Sequence, residues 1–184
     1  MIKTAQAIKA TIGSKMSAAG LAYLGHLAKC APVDGIFIDI GTYKGASAMM
    51  MHKADPSRII VTLDNYTEGT DAKTGKGKPP TPQQVANNLD SHNIWIVKSE
   101  SSCIPNWLYP SSLGLVFIDA DHHGDAVRRD ILAWRDHVTP GGIMAFDDYG
   151  STRWPDVKPV VDELMHGWTK LGCKGKVAAF RRGE

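Results

Sequence analysis

The chain has 184 residues, with 21 Lys and Arg against 19 Asp and Glu and a formal net charge of +2. That length suits one domain with a sizeable core, so we expect residues 1–184 to fold as a single domain. The small net charge argues against an extended basic face, and no nucleic-acid partner is expected.

The cysteines and the apolar runs indicate in which cellular compartment the protein is expected. Cys30, Cys103 and Cys173 are odd in number and far apart, which argues against a disulfide framework and against a zinc site. The amino terminus lacks an apolar signal core, and no apolar run is long enough to span a bilayer. We therefore expect a cytoplasmic protein without a membrane partner.

Predicted helices and strands alternate along the chain. Apolar spacing and capping residues predict helices at 4–12, 17–29, 47–54, 81–91, 125–138 and 156–168. Apolar and β-branched runs predict strands at 36–40, 58–64, 94–97, 113–119, 143–146 and 176–181. The alternation indicates the α/β class, with a doubly wound, mostly parallel sheet closed by an antiparallel edge strand.

Two segments fall outside this alternation. Residues 1–30 hold the first two helices, which precede the first strand. Residues 66–80 are rich in glycine, lysine and proline and contain almost nothing apolar, so we expect a mobile surface loop there.

The stretch from Ile36 to Ser47 predicts a ligand-binding turn. A buried strand ends at Gly41, a second glycine follows at Gly45, and a helix comes next. Such a turn places free backbone N–H groups at the carboxyl edge of a sheet. Tyr43 stands where a dinucleotide fingerprint has its second glycine, which argues against a nicotinamide cofactor.

Asp39 precedes this turn, and an acid at a strand end suits a cationic group such as an amino-acid ammonium. The pattern D-x-G-x-x-x-G-x-S, from Asp39 to Ser47, resembles motif I of the class I S-adenosylmethionine (SAM) methyltransferases. The alternative is a glycine-containing turn between a strand and a helix that binds no ligand.

Polar residues after the next two strands extend this site. Asp64 lies about twenty residues beyond the glycine turn, where an acid meets the ribose hydroxyls in this architecture. The alternative is that Asp64 caps the following turn. Ser99, Glu100 and Ser101 follow the third strand and could meet an adenine edge, although ordinary loop polarity explains them equally well.

Three acids follow the fourth and fifth strands. Asp119, Asp147 and Asp148 should meet at one edge of the sheet, where close carboxylates repel one another unless a cation neutralises them. Carboxylate oxygens select Mg²⁺, Mn²⁺ or Ca²⁺, and without metal one carboxyl group should hold a proton at raised pKa. Arg153 is the nearest basic residue in sequence and could replace the metal. Alternatively, the two adjacent acids point opposite ways into solvent.

His122 and His123 follow Asp119 closely, at a predicted helix start. A histidine three residues after a metal ligand could take a proton from a substrate hydroxyl. The alternative is a solvated helix terminus; of the two histidines, the sequence favours His122 over His123 as the base, and His123 remains the other candidate.

The longer motifs are Phe117-Ile-Asp-Ala-Asp-His122, Thr139-Pro-Gly-Gly142 and Phe146-Asp-Asp-Tyr149. Together they resemble the metal-dependent O-methyltransferases of the catechol and caffeoyl-CoA type and their small sugar- and antibiotic-modifying relatives. The resemblance runs from about Ser17 to the end of the chain. It implies that SAM is held by Asp39, Gly41, Tyr43, Gly45, Ser47 and Asp64. It also implies a metal on Asp119, Asp147 and Asp148, and it puts His122 where catechol-type relatives carry a catalytic lysine.

Two departures from that family matter. The family often has Asp-Asn where this chain has Asp147-Asp148, and the histidine in place of lysine leaves the base open. The short chain also leaves little beyond the core to build a substrate pocket. The substrate would then be met by residues 66–80, by the first helices, or by a second subunit of a homodimer.

The expected function is SAM-dependent, Mg²⁺-dependent O-methylation of a small hydroxylated substrate, with His122 and Asp119 as catalytic residues. The activated sulfonium methyl leaves the enzyme mainly a positioning task. Two alternatives remain: a metal-independent N- or O-methyltransferase, and a SAM- or nucleotide-binding module without turnover.

Overall fold

The computed structural model describes residues 1–67, 79–106 and 108–184. The helices are α1 (Ile2–Thr11), α2 (Ala18–Cys30), α3 (Ala46–Ala54), α4 (Pro82–Asn88), α5 (Gly124–Trp134) and α6 (Val157–Leu164). The strands are β1 (Ile36–Ile40), β2 (Ile60–Asp64), β3 (Ile94–Lys98), β4 (Leu113–Ile118), β5 (Val138–Phe146), β6 (Thr169–Lys174) and β7 (Val177–Arg181). Of the predicted loop 66–80, residues 68–78 lie outside the described residues.

The strands form one sheet in the order β3-β2-β1-β4-β5-β7-β6. β1 to β5 are parallel, and β7 and β6 add antiparallel pairings. This confirms the predicted α/β fold with its mostly parallel, doubly wound sheet. The strand order reverses between β1 and β4, and open sheets of this kind bind ligands outside the carboxyl ends of the strands at such a point.

The edge of the sheet differs from the prediction. The strand predicted at 176–181 is β7, which is antiparallel to β5 but pairs on its other side with β6. β6 is therefore the edge strand, and the sequence did not indicate it. Its residues Thr-Lys-Leu-Gly-Cys-Lys are mostly exposed and carry lysines, which is typical of an edge strand and hides the apolar alternation of a buried one.

Apolar side chains on both faces of the sheet fill the core. Along β1 and β4, Phe37 and Leu115 pack against α1, α2 and α3, while the adjacent Ile38 and Val116 pack against α5 and α6. This alternation follows from the two-residue period of a strand, and it gives a core on each face. Both layers hold the carboxyl ends of β1, β2, β4 and β5 at a common edge.

Two predicted helix starts are confirmed with their caps. The Ser17 hydroxyl accepts a hydrogen bond from the backbone N–H of Gly20 and so caps α2. Thr81 caps α4 in a reciprocal capping box with Gln84. Within the described residues, no helix has the length and apolar character needed to cross a membrane.

Candidate active site

A cleft of about 990 Å³ lies at the carboxyl edge of the sheet. Its turn end consists of the turn after β1 (Gly41, Thr42, Tyr43), Asp64 and the loop 99–101. Its acid end consists of Asp119, His122, Asp147 and Asp148. Residues 14–17 before α2 and the turn between β6 and β7 complete the walls.

Gly41 is where the two ends meet. Its φ is +95°, and a Cβ there would lie 2.1 Å from the backbone oxygen of Asp119. The close approach that requires glycine is therefore to the end of β4. Gly45 also has a positive φ, +89°, but its missing Cβ would lie 2.7 Å from the side chain of Leu89, so it packs behind the cleft wall. Its predicted contact with the cofactor stays a prediction.

Asp39 lies beneath the turn and is fully buried. Its Oδ2 accepts hydrogen bonds from Ser47 Oγ at 3.0 Å and Thr62 Oγ1 at 2.7 Å. Burial raises the pKa of Asp39 to about 7, although these two donors lower it. Of this group, Ser47 also lines the cleft. Asp39 therefore supports the turn from beneath, and its predicted contact with the ammonium of the cofactor stays a prediction.

Asp64 joins two strained turns. Its Oδ2 accepts from the backbone N–H of Tyr43 at 2.9 Å, and its Oδ1 accepts from that of Tyr66 at 2.8 Å. Both tyrosines have positive φ, 46° and 56°, which non-glycine residues rarely adopt. Each oxygen retains a lone pair, so Asp64 holds the turn end in shape and can still accept from ribose hydroxyls.

The loop after β3 adds the third element of the turn end. The backbone N–H of Ser99 donates to the carbonyl of Asp64 at 3.0 Å, which ties the loop to β2. Glu100 lies beside Asn65, whose Nδ2 is 3.4 Å from both of its carboxylate oxygens. Ser99, Glu100 and Ser101 all line the cleft, as an adenine-binding role requires.

At the acid end, the predicted carboxylates are close enough to repel one another. Burial, followed by the charge of Asp147, raises the pKa of Asp119 well above its usual value. Burial and the charge of Asp148 raise the pKa of Asp147 to about 7. Asp147 and Asp148 both line the cleft and are only partly exposed, which does not fit the alternative in which they point opposite ways into solvent. Asp148 has a φ of 51°, so the turn after β5 is itself strained.

The donor chemistry of this group fits a divalent cation, because carboxylate oxygens are the ligands that Mg²⁺ prefers. However, no three Asp, Glu, His or Cys side chains among the described residues are arranged to hold a metal ion. The metal site on Asp119, Asp147 and Asp148 therefore stays a prediction.

Lys176 is a cation beside the acids that the sequence did not indicate, in addition to Arg153. Lys176 Nζ lies 3.6 Å from Asp148 Oδ1 and 3.2 Å from Ser151 Oγ. The turn between β6 and β7 delivers it, and this turn depends on the edge strand that the sequence did not indicate. Arg153 lies over the Trp154 ring, with its Cζ 5.4 Å from the ring centroid.

The geometry separates the two histidines. His122 Nε2 lies 3.4 Å from Asp148 Oδ2 and 3.7 Å from Asp119 Oδ1. Burial lowers the pKa of His122 despite the opposing charges of Asp148 and Asp121, which favours the neutral ring that can accept a proton. His123 turns to Asp121, with 2.6 Å between its Nδ1 and Oδ1. Of the two histidines, His122 is the one beside Asp119 and Asp148, and its role as the base stays a prediction.

Three further residues of the cleft wall were missed by the sequence reasoning. The Trp154 ring meets the His122 ring edge-on, with 5.1 Å between centroids. Lys15 lies in the 14–17 segment, with its Nζ 5.6 Å from the Tyr43 ring centroid, and Arg129 reaches the wall from α5. No local motif marked them, because only the tertiary fold brings them to the cleft.

Comparison with known proteins bears on this cleft. A family model described as a methyltransferase domain matches residues 38–149, which include both ends of the cleft. An uncharacterized protein of Acanthamoeba polyphaga mimivirus is 26% identical over 137 residues, or 72% of this chain. The chain spans 60% of the length of that curated relative.

Solved structures share the fold. The calicheamicin methyltransferase CalS11 matches with a TM-score of 0.70 at 17% identity, over 99% of this chain and 92% of its own. The O-methyltransferase NovP matches with a TM-score of 0.69 at 14% identity, over 94% of this chain and 84% of its own. MycE, from the mycinamycin pathway and in complex with Mg and SAH, matches with a TM-score of 0.56 at 19% identity, over 88% and 48%. These likenesses confirm the predicted methyltransferase fold.

Proposed function

The chain belongs to the methyltransferase domain family, and we propose that it transfers a methyl group from SAM to an oxygen of a small hydroxylated substrate with the help of a divalent cation. The observation that supports this most is the juxtaposition of the two ends of the cleft. The Asp119 backbone touches the glycine turn at Gly41, while the Asp119 side chain lies beside His122.

The turn end supplies the cofactor site. Backbone groups of the turn after β1 bind the methionine part of SAM, and Asp64 accepts from the ribose hydroxyls. Ser99, Glu100 and Ser101 meet the adenine ring. Because the turns around Asp64 are already fixed by its two hydrogen bonds, little reordering is needed when the cofactor binds.

The acid end supplies the acceptor site. His122 accepts the proton of the acceptor hydroxyl, since its pKa is lowered and its Nε2 faces the acids. Asp148 and Asp119 hold the imidazole in place. A divalent cation held by Asp119, Asp147 and Asp148 would lower the pKa of that hydroxyl. Trp154 gives this end an aromatic wall against which a ring of the acceptor can pack.

Two relatives favour a sugar-like acceptor and a metal. CalS11 is described as a TDP-rhamnose 3′-O-methyltransferase, and MycE was solved with Mg and SAH. A sugar with adjacent hydroxyls would offer the vicinal oxygens that a cation at the acid end binds.

Lys176 favours a second candidate, a metal-independent methyltransferase. Its ammonium lies 3.6 Å from Asp148 and supplies some of the positive charge that the acids need. The two candidates differ in what chelation does to the reaction.

Formation of S-adenosylhomocysteine (SAH) from SAM, with catechols and nucleotide sugars as acceptors, tests the proposal. We expect turnover with Mg²⁺, its loss in EDTA, and its return when Mg²⁺ is added back. Turnover that persists in EDTA would select the metal-independent candidate. SAH binding without product from any acceptor would select the binding module, and absence of SAH binding would refute the cofactor assignment.

A further inference from the structure

Two buried side chains of α5 hold one residue of the cleft wall. Ser101 lines the turn end, where its Oγ donates a hydrogen bond to Asp130 Oδ1 at 2.6 Å. Its carbonyl oxygen accepts from Trp134 Nε1 at 2.7 Å. Asp130 is 1% exposed and Trp134 is fully buried, so neither can meet a ligand itself. They reach the cleft only through Ser101.

Stability does not explain a carboxylate in this place. Asp130 Oδ2 is buried and has no hydrogen-bond partner within the described residues. A buried carboxylate with an unsatisfied oxygen costs free energy, and an apolar side chain of similar size is often the more stable choice. Burial raises the pKa of Asp130 to about 6, which reflects the same cost. A residue that lowers the stability of the fold in this way is expected where it holds a functional group in position.

We propose that Asp130 and Trp134 are positioning residues for the adenine ring of the cofactor. They fix Ser101 by its side chain and by its carbonyl, while the Glu100 carbonyl, which shares a peptide plane with the Ser101 N–H, accepts a hydrogen bond from the Cys103 N–H at 3.1 Å. Together these contacts set the direction of the Ser101 N–H at the cleft wall. That N–H donates to N1 of the adenine ring, an acceptor, and it forms no hydrogen bond with another described residue. The inference rests on the proposed SAM site and adds which buried residues give it its selectivity for adenine.

The first test compares variants of Asp130 by calorimetry with SAH. Asp130→Ala removes the acceptor for the Ser101 hydroxyl and should weaken SAH binding by up to about tenfold, because the adenine ring loses one hydrogen bond when the Ser101 N–H is no longer held in place. Asp130→Asn keeps an oxygen for that hydroxyl and should restore most of the affinity. Asp125→Ala is the matched control, because Asp125 is an exposed acid on the same helix. Its affinity for SAH should equal that of the wild type.

The second readout separates positioning from a general loss of stability. S-inosylhomocysteine carries hypoxanthine, whose N1 bears a proton and cannot accept from the Ser101 N–H. The wild type should therefore prefer SAH, and Asp130→Ala should lose most of that preference. Weaker packing alone would reduce both affinities equally and leave their ratio unchanged.

Trp134→Phe provides the check if Asp130→Ala does not fold. It keeps an aromatic ring in the core but removes the N–H that holds the Ser101 carbonyl, so the preference should again decrease. Folded variants with wild-type affinity, or with an unchanged ratio of the two affinities, would overturn the proposal while SAH binding by the wild type upholds the cofactor site. A wild type that binds no SAH would overturn both.

Discussion

The two ends of the cleft treat their carboxylates in opposite ways. At the turn end, Asp64 accepts hydrogen bonds from two backbone N–H groups, at 2.9 and 2.8 Å. At the acid end, burial and neighbouring acids raise the pKa of Asp119 and Asp147. The turn end is therefore formed before any ligand binds, whereas the acid end carries a repulsion that a bound cation would relieve.

This difference suggests which end of the cleft binds the cofactor and which end binds the acceptor in the proposed reaction. A preformed turn end suits a cofactor that every catalytic cycle uses in the same way. An acid end that repels itself suits a cation together with an acceptor. The substitutions below act on the contact between the two ends, on the turn end, or on the charges of the acid end.

Gly41→Val should have the largest effect, because it acts where the two ends touch. Its side chain would enter the space where a Cβ already lies 2.1 Å from the Asp119 backbone oxygen, at a φ of +95°. We expect the free energy of unfolding to fall by about 3 kcal/mol or more, and SAH binding to be lost. Gly183→Val is the control, since nothing lies within 4 Å of the position of its Cβ. Chemical denaturation measures both, and equal stability of the two variants would contradict the described contact.

Asp64→Ala should disrupt the turn end alone. It removes the acceptor for the backbone N–H groups of Tyr43 and Tyr66 together with the expected ribose acceptor. Affinity for SAH should fall at least about tenfold by calorimetry, while Mg²⁺ affinity changes little. Asp90→Ala, at an exposed acid, should bind SAH like the wild type. Unchanged SAH affinity in folded Asp64→Ala would refute the assignment of the turn end.

Stability in EDTA should depend on pH through the acid end. The pKa of Asp147 is raised to about 7, so between about pH 4 and 7 the native state keeps a proton that the unfolded chain has released. This contribution is fully present below about pH 4 and is lost as the pH rises through 7. Thermal unfolding should show the melting temperature falling over that range, by about 2–4 °C per kcal/mol. The melting temperature of Asp147→Asn should fall less steeply with pH than that of the wild type. Equal slopes for the two proteins would contradict the repulsion among the acids.

Lys176→Met should have the smallest effect. The lysine side chain is 58% exposed, so solvent screens its attraction to Asp148. Its removal should raise Mg²⁺ affinity about two- to fivefold, because one positive charge no longer competes at the acid end. Lys174→Met is the matched control, since that ammonium lies over the Tyr23 ring instead. Weaker Mg²⁺ binding in Lys176→Met would show that the lysine supports the metal site.

The sequence was informative where function follows from a strand end. Asp64, Asp119 and Asp147 each follow an apolar run, and parallel strands bring such ends to one edge. The sequence also predicted a tight turn at Gly41, although the group that approaches this glycine closely is the Asp119 backbone. The alternation of helices and strands was enough for the fold class.

The residues that the sequence did not reveal reach the cleft through tertiary structure. Lys176 depends on β6, an exposed edge strand without apolar alternation. Trp154 lies in an irregular turn, and Asp130 looks like one more polar residue of a helix until its contact with Ser101 is seen. The sequence around a polar residue does not show whether its side chain is buried, because the free-energy cost of burying it depends on hydrogen-bond partners far along the chain.

The most direct test of the division between the two ends is a calorimetric titration of Mg²⁺, and then of SAH, into the wild type and Asp147→Asn. We expect Mg²⁺ affinity to fall by about tenfold or more in the variant, since it loses a charged ligand, while SAH affinity stays within about twofold. Absence of Mg²⁺ binding by the wild type, or an equal loss of both affinities in the variant, would contradict the account.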